Sequence, residues 1–158
     1  MKKLFVALAL AGAFLLVLSG VSQARTALVR SGLLDDYGLF TRPVEEGLRK
    51  QGYRVTRKPW WASDKGKYSV AVGHSLGADR VLKDNARKII SIDPTLANPG
   101  CPKGRDCTAY VGHANKFPLI VCCGGYEVAG AKNIPISPGH VQAPRIALPM
   151  ILKLARRK

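Results

Sequence analysis

Ser75 is the side chain of this 158-residue chain whose surroundings best suit it for chemistry. It is the centre of the segment Gly73–Gly77, with the sequence GHSLG, which we call the elbow; the apolar run 68–72 precedes it and residues of helical character follow. A strand, a sharp turn and a helix in this order expose a serine hydroxyl as a nucleophile. The glycines are needed because side chains at their positions would collide with the neighbouring strand or helix. The pattern therefore predicts that Ser75 attacks an ester-like carbonyl.

A serine nucleophile needs a base that accepts its proton and an acid that orients the base. His140 is the favoured base, because it lies in a turn after the last predicted strand and follows the nucleophile in the chain. His113 is the rival, but it is predicted to lie inside a long loop with no strand to deliver it. Asp93 is the favoured acid, because it ends the strand that follows the elbow, and Glu127, after the next predicted strand, is the alternative.

The elements that must position these side chains alternate between strand and helix. In chain order the predicted elements are strand 27–30, helix 43–51, a strand around 53–55, strand 68–72, a helix from the elbow to about 86, strands 88–92, 117–122 and 131–136, and helix 142–155. Several strands are continuous apolar runs, which predicts an α/β fold: a mostly parallel sheet of about six strands with helices on both faces. In such a sheet, functional side chains gather at the carboxyl ends of the strands.

Two details of this prediction concern single segments. Residues 94–116 are rich in Pro, Gly and Cys and are predicted to form the one long irregular connection. In the last helix, Ile146, Met150 and Leu154 fall on one stripe, which predicts that this stripe is buried.

The amino terminus has the three parts of a secretory signal peptide. Lys2 and Lys3 precede the uncharged run Leu4–Leu18, and the small residues Ser22 and Ala24 follow, which predicts cleavage after Ala24. The run is 15 residues long, whereas about 20 are needed to span a bilayer. We therefore expect export to the periplasm or the medium rather than a retained anchor.

Removing residues 1–24 leaves 134 of the 158 residues and, because Lys2 and Lys3 leave with them, lowers the formal charge from +15 to +13. This length suits a single domain with one core over residues 25–158. A charge this high attracts anionic membrane or polymer surfaces. The basic residues are scattered except at 153–158, and no nucleic-acid motif is present, so we expect no nucleic-acid partner.

Four cysteines lie in the part of the chain predicted to be exported, where oxidation is expected. A bond between the neighbours Cys122 and Cys123 is disfavoured, because adjacent side chains of a strand point to opposite faces. A bond from Cys101 to Cys107, or two bonds from these residues to the later pair, both remain open. Neither spacing matches a zinc knuckle, and we expect no metal or cofactor.

Trp60 and Trp61 follow the second predicted strand at the edge where the site is expected. They are candidates to line an acyl pocket or to touch a membrane. The favoured interpretation is that one ring packs in the core while the other is exposed.

Two motifs resemble those of the α/β-hydrolase superfamily. The elbow and the strand end Ile90–Pro94 (ISIDP) are similar to the lipase group whose acid is the aspartate of a strand-end Asp-Pro. The chain also resembles small bacterial hydrolases with a strand-Gly-Leu opening, a GHSLGA segment, a strand ending in Asp-Pro-Thr and a late Gly-His. The resemblance covers about residues 27–141.

This resemblance implies a minimal α/β-hydrolase fold in which Ser75 is the nucleophile, Asp93 the acid and His140 the base. It further implies an oxyanion hole made by the backbone N–H groups of Leu76 and Leu33. The chain departs from those lipases by a serine at position 31 where they have histidine, and by lacking their first strands and a lid insertion.

The sequence thus predicts a monomeric, exported serine hydrolase that cleaves carboxylic esters or thioesters, from small molecules or lipids, through an acyl-enzyme. Two alternatives stay open. One is a non-catalytic cationic domain that binds an anionic membrane or polymer surface, and the other is an acyltransferase that uses the same triad with an alcohol acceptor.

Overall fold

The computed structural model describes residues 24–32, 40–95, 97–112, 125–136 and 143–156. Residues 1–23 of the predicted signal peptide and the predicted strand 117–122 lie outside these ranges. Within them, the elements are β1 (Thr26–Ser31), α1 (Thr41–Lys50), β2 (Arg54–Pro59), β3 (Lys67–His74), α2 (Leu76–Val81), β4 (Asn85–Ile92), β5 (Asp106–Gly112), β6 (Lys132–Ile136) and α3 (Ala143–Arg156).

The six strands form one sheet in the order β2-β1-β3-β4-β5-β6, and every neighbouring pair is parallel. The predicted α/β fold is therefore confirmed. Because the strands are parallel, all their last residues lie at one edge, the carboxyl edge, and all their first residues lie at the opposite amino edge. The chain leaves β1 for β2 on one side and then returns to β3 on the other side. The carboxyl ends of β1 and β3 thus flank a topological switch point, where α/β sheets form their ligand crevices.

Helices cover both faces of the sheet, as the continuous apolar strands predict. On one face, α1 and α3 bury their apolar sides against alternate residues of the strands, such as Val29 and Val72. On the other face, the end of α2 packs through Val81 on neighbours such as Leu28 and Ile89. No helix in the described part of the chain is long and apolar enough to cross a membrane.

A buried ion pair and its neighbouring hydrogen bonds tie two connections to the interior strand β1. The Arg30 side chain is fully buried, and its Nε and Nη2 donate to the two carboxylate oxygens of Asp84 at 2.8 and 2.6 Å. Its Nη1 donates to the carbonyls of Pro59 and Ala62 at 2.9 and 2.5 Å. This guanidinium therefore fixes both the turn before β4 and the segment that follows β2.

Helix α2 is shorter than predicted, since it ends at Val81 rather than near residue 86. The next residues form a turn in which the Lys83 and Asp84 amides donate to the carbonyls of Arg80 and Val81. Strand β4 then begins at Asn85, three residues before the predicted start. The hydrogen bond from Arg30 to Asp84 holds this turn. Because Arg30 lies 54 residues away in the chain, the residues around the turn carry no local signal that predicts it.

The prediction that residues 94–116 form an irregular connection is wrong, because β5 lies within it. This strand, with the sequence DCTAYVG, has only one aliphatic residue larger than alanine, Val111, which explains why an apolar run does not reveal it. Cys101 and Cys107 form a disulfide with a Cα–Cα distance of 6.0 Å, which closes the loop immediately before the strand. This is one of the two arrangements that the sequence left open; Cys122 and Cys123 lie outside the described residues.

The buried stripe of α3 is displaced by one residue from the predicted one. Its buried side chains are Ala147, Ile151 and Ala155, whereas Met150 and Leu154 are only partly buried; the side chain of Ile146 lies outside the description. Small alanines face the core because the helix packs closely on the sheet, where the Tyr53 hydroxyl donates to the Ala155 carbonyl at 2.5 Å.

Candidate active site

Ser75 occupies the turn between β3 and α2, with φ 55° and ψ −125°. This is a sparsely populated backbone region, which costs a non-glycine residue about 1–3 kcal/mol. Hydrogen bonds on both sides fix the turn: the Ser75 amide donates to the Ile92 carbonyl at 2.9 Å, and its carbonyl accepts from the Ala78 amide at 2.8 Å. Among the described residues other than glycine, Ser75 and Asp93 alone have positive φ.

The two glycines of the elbow are required by close backbone contacts. A Cβ atom on Gly73 would lie 2.1 Å from the Gly77 carbonyl oxygen, and one on Gly77 would lie 2.8 Å from the Arg30 carbonyl oxygen. Both distances are shorter than real Cβ contacts allow. The predicted reason for these glycines is therefore confirmed, since any side chain there would push the elbow out of place.

The end of β1 lies directly against the nucleophile. A Cβ atom on Gly32 would be 2.5 Å from the His74 carbonyl oxygen and 3.2 Å from the Ser75 Cβ. Leu33, the next residue and one predicted oxyanion donor, lies outside the described residues. The other predicted donor, Leu76, is the first residue of α2, and the first N–H groups of a helix have no partner within it.

Asp93 follows β4 directly and lies beside Ser75 in the sheet. His74 and Ile92 are paired residues on the neighbouring strands β3 and β4, so Ser75 and Asp93 are the next residues on each. Asp93 is buried, has φ 54°, and donates its amide hydrogen to the Tyr110 carbonyl at 2.8 Å. The structure therefore brings these two predicted residues together at the carboxyl edge.

A second acid, Asp79 of α2, holds the chain that follows Asp93. Its Oδ1 accepts from the Thr95 amide at 3.0 Å, and its Oδ2 accepts from the Thr95 hydroxyl. Burial raises the pKa of the Asp79 carboxyl, and the hydrogen bonds from Thr95 act in the opposite direction. Sequence reasoning missed this residue. The available signal was an acid one helical turn after Ser75 and a threonine two residues after Asp93.

Glu127, the alternative acid, lies near the carboxyl edge of the sheet, but it faces solvent. Its side chain is exposed and makes no hydrogen bond or ion pair with a described residue. The neighbouring Tyr126 amide donates to the Pro94 carbonyl at 3.3 Å, which places this segment beside the turn at Asp93. Glu127 is therefore near the site without being fixed in it.

Neither candidate base is among the described residues, since His140 and His113 both lie outside them. The prediction that no strand delivers His113 is nevertheless wrong, because His113 directly follows Gly112, the last residue of β5. A strand therefore does lead to it. The third histidine, His74, is buried, and its ring packs against Phe40 with the centroids 5.1 Å apart.

Trp60 and Trp61 follow β2 at the carboxyl edge, two strands away from β3. The Trp61 side chain is 69% exposed, whereas Trp60 is half-buried. The two rings meet edge to face, with centroids 5.8 Å apart and an interplanar angle of 87°. The bonds from Arg30 to the carbonyls of Pro59 and Ala62 fix the backbone on either side of the pair.

No group of three or more His, Cys, Asp or Glu side chains suited to a metal ion occurs within the described ranges. No protein-family model matches the chain, and none of the curated proteins matches it.

Proposed function

We propose that this chain is a serine hydrolase of the α/β-hydrolase type, with Ser75 as its nucleophile. The observation that carries the proposal is the strained backbone of Ser75, held between two glycines that admit no side chain, at the switch point of a parallel sheet. A purely structural turn has no need of a serine in a conformation that glycine adopts at lower cost. Strain of this kind is common where a nucleophile must project from the end of a strand.

In the proposed reaction, the Ser75 hydroxyl oxygen attacks the carbonyl carbon of an ester or thioester while His140 accepts the hydroxyl proton. The backbone N–H groups of Leu76 and Leu33 stabilise the oxyanion. Collapse of the tetrahedral intermediate breaks the bond to the leaving group, which takes the proton from the imidazolium, and leaves an acyl-serine. Water then attacks with the same base, and the acid product leaves.

Asp93 fits the role of the orienting acid better than Glu127 does. The acid of a triad must be held rigidly because its task is to fix the tautomer and orientation of the base. Asp93 is buried on the strand next to Ser75, whereas the Glu127 side chain is exposed to solvent. Solvent would also screen the charge of Glu127 and weaken its stabilisation of an imidazolium.

The surface around the site supports a substrate with an apolar part. Among the described residues, the exposed large hydrophobic side chains are those of Trp61 and Tyr126, and both lie at the carboxyl edge. Exposed aromatic rings at the same edge as a nucleophile suit an acyl chain or an aromatic ester.

We also propose that the hydrolase acts outside the cytoplasm, in the periplasm or the medium, after cleavage behind Ala24. The Cys101–Cys107 disulfide supports this location, because such bonds persist mainly in oxidising compartments. The proposal requires no metal or cofactor.

Hydrolysis of p-nitrophenyl acetate and butyrate by the purified protein tests the function. The Ser75→Ala variant should lose at least about 1000-fold in kcat/KM, because the nucleophile is absent and only binding and the oxyanion donors remain. A matched control is Ser63→Ala, which removes the hydroxyl of an exposed serine in the segment between β2 and β3 and should leave kcat/KM unchanged.

Two further variants compare the acids. Asp93→Asn should reduce kcat/KM by several orders of magnitude, and Glu127→Gln should reduce it less than twofold. Equal activity of the wild-type and Ser75→Ala proteins, with both folded by circular dichroism, would contradict the proposal.

A further inference from the structure

The amino edge of the sheet carries a row of exposed cations. An exposed lysine or arginine stands at the start of every strand or within two residues of it, and the six are Arg25, Arg54, Lys67, Arg87, Arg105 and Lys132. With neighbouring strands about 4.8 Å apart, the row spans about 24 Å. Helix α3 ends at the same edge and adds the exposed Lys153 and Arg156.

Acidic side chains do little to neutralise this row. Asp84 is buried and fully engaged by Arg30, and Asp64 is held by Tyr68 and Lys58. Asp106 is the exposed acid at this edge, and it lies 4.0 Å from the Lys88 Nζ. Most of the cations therefore project into solvent without a partner of opposite charge among the described residues.

A cavity opens within the row. It has a volume of about 440 Å³, and the charged residues of its lining are Arg25, Arg87, Lys88 and Asp106. Lys88 is held in place by a 2.9 Å hydrogen bond from its Nζ to the Leu154 carbonyl, and it lies 4.0 Å from the Asp106 carboxylate. Neither Arg25 nor Arg87 makes an ion pair with a described residue. Because three cations outnumber the single carboxylate, the cavity suits a phosphate group.

The choice of partner rests on what the row offers and on what it lacks. A row of exposed cations matches in charge the anionic headgroups of a bilayer surface. Single-stranded nucleic acids are bound by stacking on aromatic side chains, and no large hydrophobic residue is exposed at this edge within the described ranges.

We infer that the amino edge docks on the surface of a bilayer containing anionic phospholipid, with the cavity receiving a headgroup phosphate. Because the site lies at the opposite edge, docking turns Ser75 and Trp61 away from the bilayer. The bound protein then takes its substrate from the aqueous side rather than from the membrane that it covers. This inference does not depend on the proposed catalysis.

Co-sedimentation with lipid vesicles tests the inference, with phosphatidylcholine vesicles compared with vesicles that also contain phosphatidylglycerol. The purified protein should bind the anionic vesicles and should be released from them at high salt. The variant Arg54→Gln/Arg87→Gln should bind about 30-fold more weakly, since each cation near an anionic surface contributes about a fivefold gain. Neither side chain has a partner among the described residues, so the fold should be unaffected.

The matched control is Arg42→Gln, set against the single variant Arg87→Gln, which should bind about fivefold more weakly. Arg42 is exposed near the start of α1, toward the carboxyl edge, and both variants keep the same amino terminus. The control should weaken binding less than about twofold. Equal losses in the two variants would overturn the inference, because net charge alone would then explain binding. It would also be overturned by equal binding to neutral vesicles, or by tighter binding to an unstructured oligonucleotide than to anionic vesicles.

Ester hydrolysis should be the same in both variants, so this test and the test of catalysis can fail separately.

Discussion

The backbone of Ser75 connects the stability of the protein to its proposed function. Its φ of 55° is one that a side chain makes costly, yet an alcohol nucleophile cannot be a glycine. The local hydrogen bonds and the packing of Gly32, Gly73 and Gly77 hold the residue there. A substitution that removes the proposed nucleophile and also relieves this backbone strain should therefore raise the free energy of unfolding of the protein.

Replacing Ser75 by glycine should therefore stabilise the fold more than replacing it by alanine. We expect the free energy of unfolding of Ser75→Gly to exceed that of Ser75→Ala by about 1 kcal/mol, because glycine relieves the positive φ. Urea denaturation of the two variants measures the difference.

Ser91 supplies the control, because it is a buried serine within β4. There the order should reverse, with the glycine variant less stable than the alanine variant by about 0.5–1 kcal/mol. The same order at both positions would contradict the role of strain at Ser75.

Asp79 gives a prediction for the pH dependence of stability. Burial raises the pKa of its carboxyl, so the folded protein holds this proton more tightly than the unfolded chain does. The stabilisation from this proton is complete below the unfolded pKa of about 4 and is lost as the pH rises through the raised folded value. The free energy of unfolding of the wild type should therefore fall relative to that of Asp79→Asn as the pH rises above about 4.

Urea titrations of the two proteins across this range measure that difference. Asparagine can accept from the Thr95 amide and donate to the Thr95 hydroxyl, so it keeps both contacts without a buried charge. Asp79→Ala, which loses both contacts, should be less stable than Asp79→Asn at every pH. A free energy of unfolding of the wild type that rises with pH relative to that of Asp79→Asn would contradict the direction of the pKa shift.

The elements that the sequence predicts correctly are those whose cause lies within a short stretch of the chain. The elbow was predictable because a strand, two glycines and a helix lie within fifteen residues of one another. Strand β5 was not, because its burial comes from β4 and β6 on either side rather than from an apolar run of its own. The position of Asp93 next to Ser75 was predictable, because Asp93 ends the strand that follows the elbow. The two hydrogen bonds from Thr95 to the Asp79 carboxylate were not predictable, because no local pattern relates these residues.

The ion pair between Arg30 and Asp84 connects elements that no local pattern relates, and its loss should destabilise them together. Asp84→Ala leaves a fully buried guanidinium without its carboxylate, which should lower the free energy of unfolding by about 3–5 kcal/mol. Urea denaturation measures the effect. The control is Arg49→Ala, which removes an exposed guanidinium from the buried Glu45 carboxylate while Arg57 stays 3.5 Å from that carboxylate, and it should cost less than about 1 kcal/mol. Similar losses in both variants would contradict the structural role of the buried pair.

Across the whole molecule, the parallel sheet separates two kinds of surface. The candidate nucleophile, its neighbouring acid and the exposed aromatic rings lie at the carboxyl edge, and the row of cations lies at the amino edge. The sequence shows a net charge of +15 and basic residues that look scattered. Their alignment emerges only when six parallel strands bring their first residues side by side, which is why composition alone could not place the proposed docking surface.

The most direct test of the proposed hydrolase is covalent labelling of the purified protein with a fluorophosphonate, followed by peptide mass spectrometry. A fluorophosphonate reacts with a serine hydroxyl that a base has activated, so labelling does not depend on knowing the natural ester. We predict one phosphonylated residue per chain, at Ser75, and no labelling of Ser75→Ala. A folded wild-type protein that stays unlabelled, or a Ser75→Ala protein labelled as fully as the wild type, would contradict the assignment of Ser75 as the nucleophile.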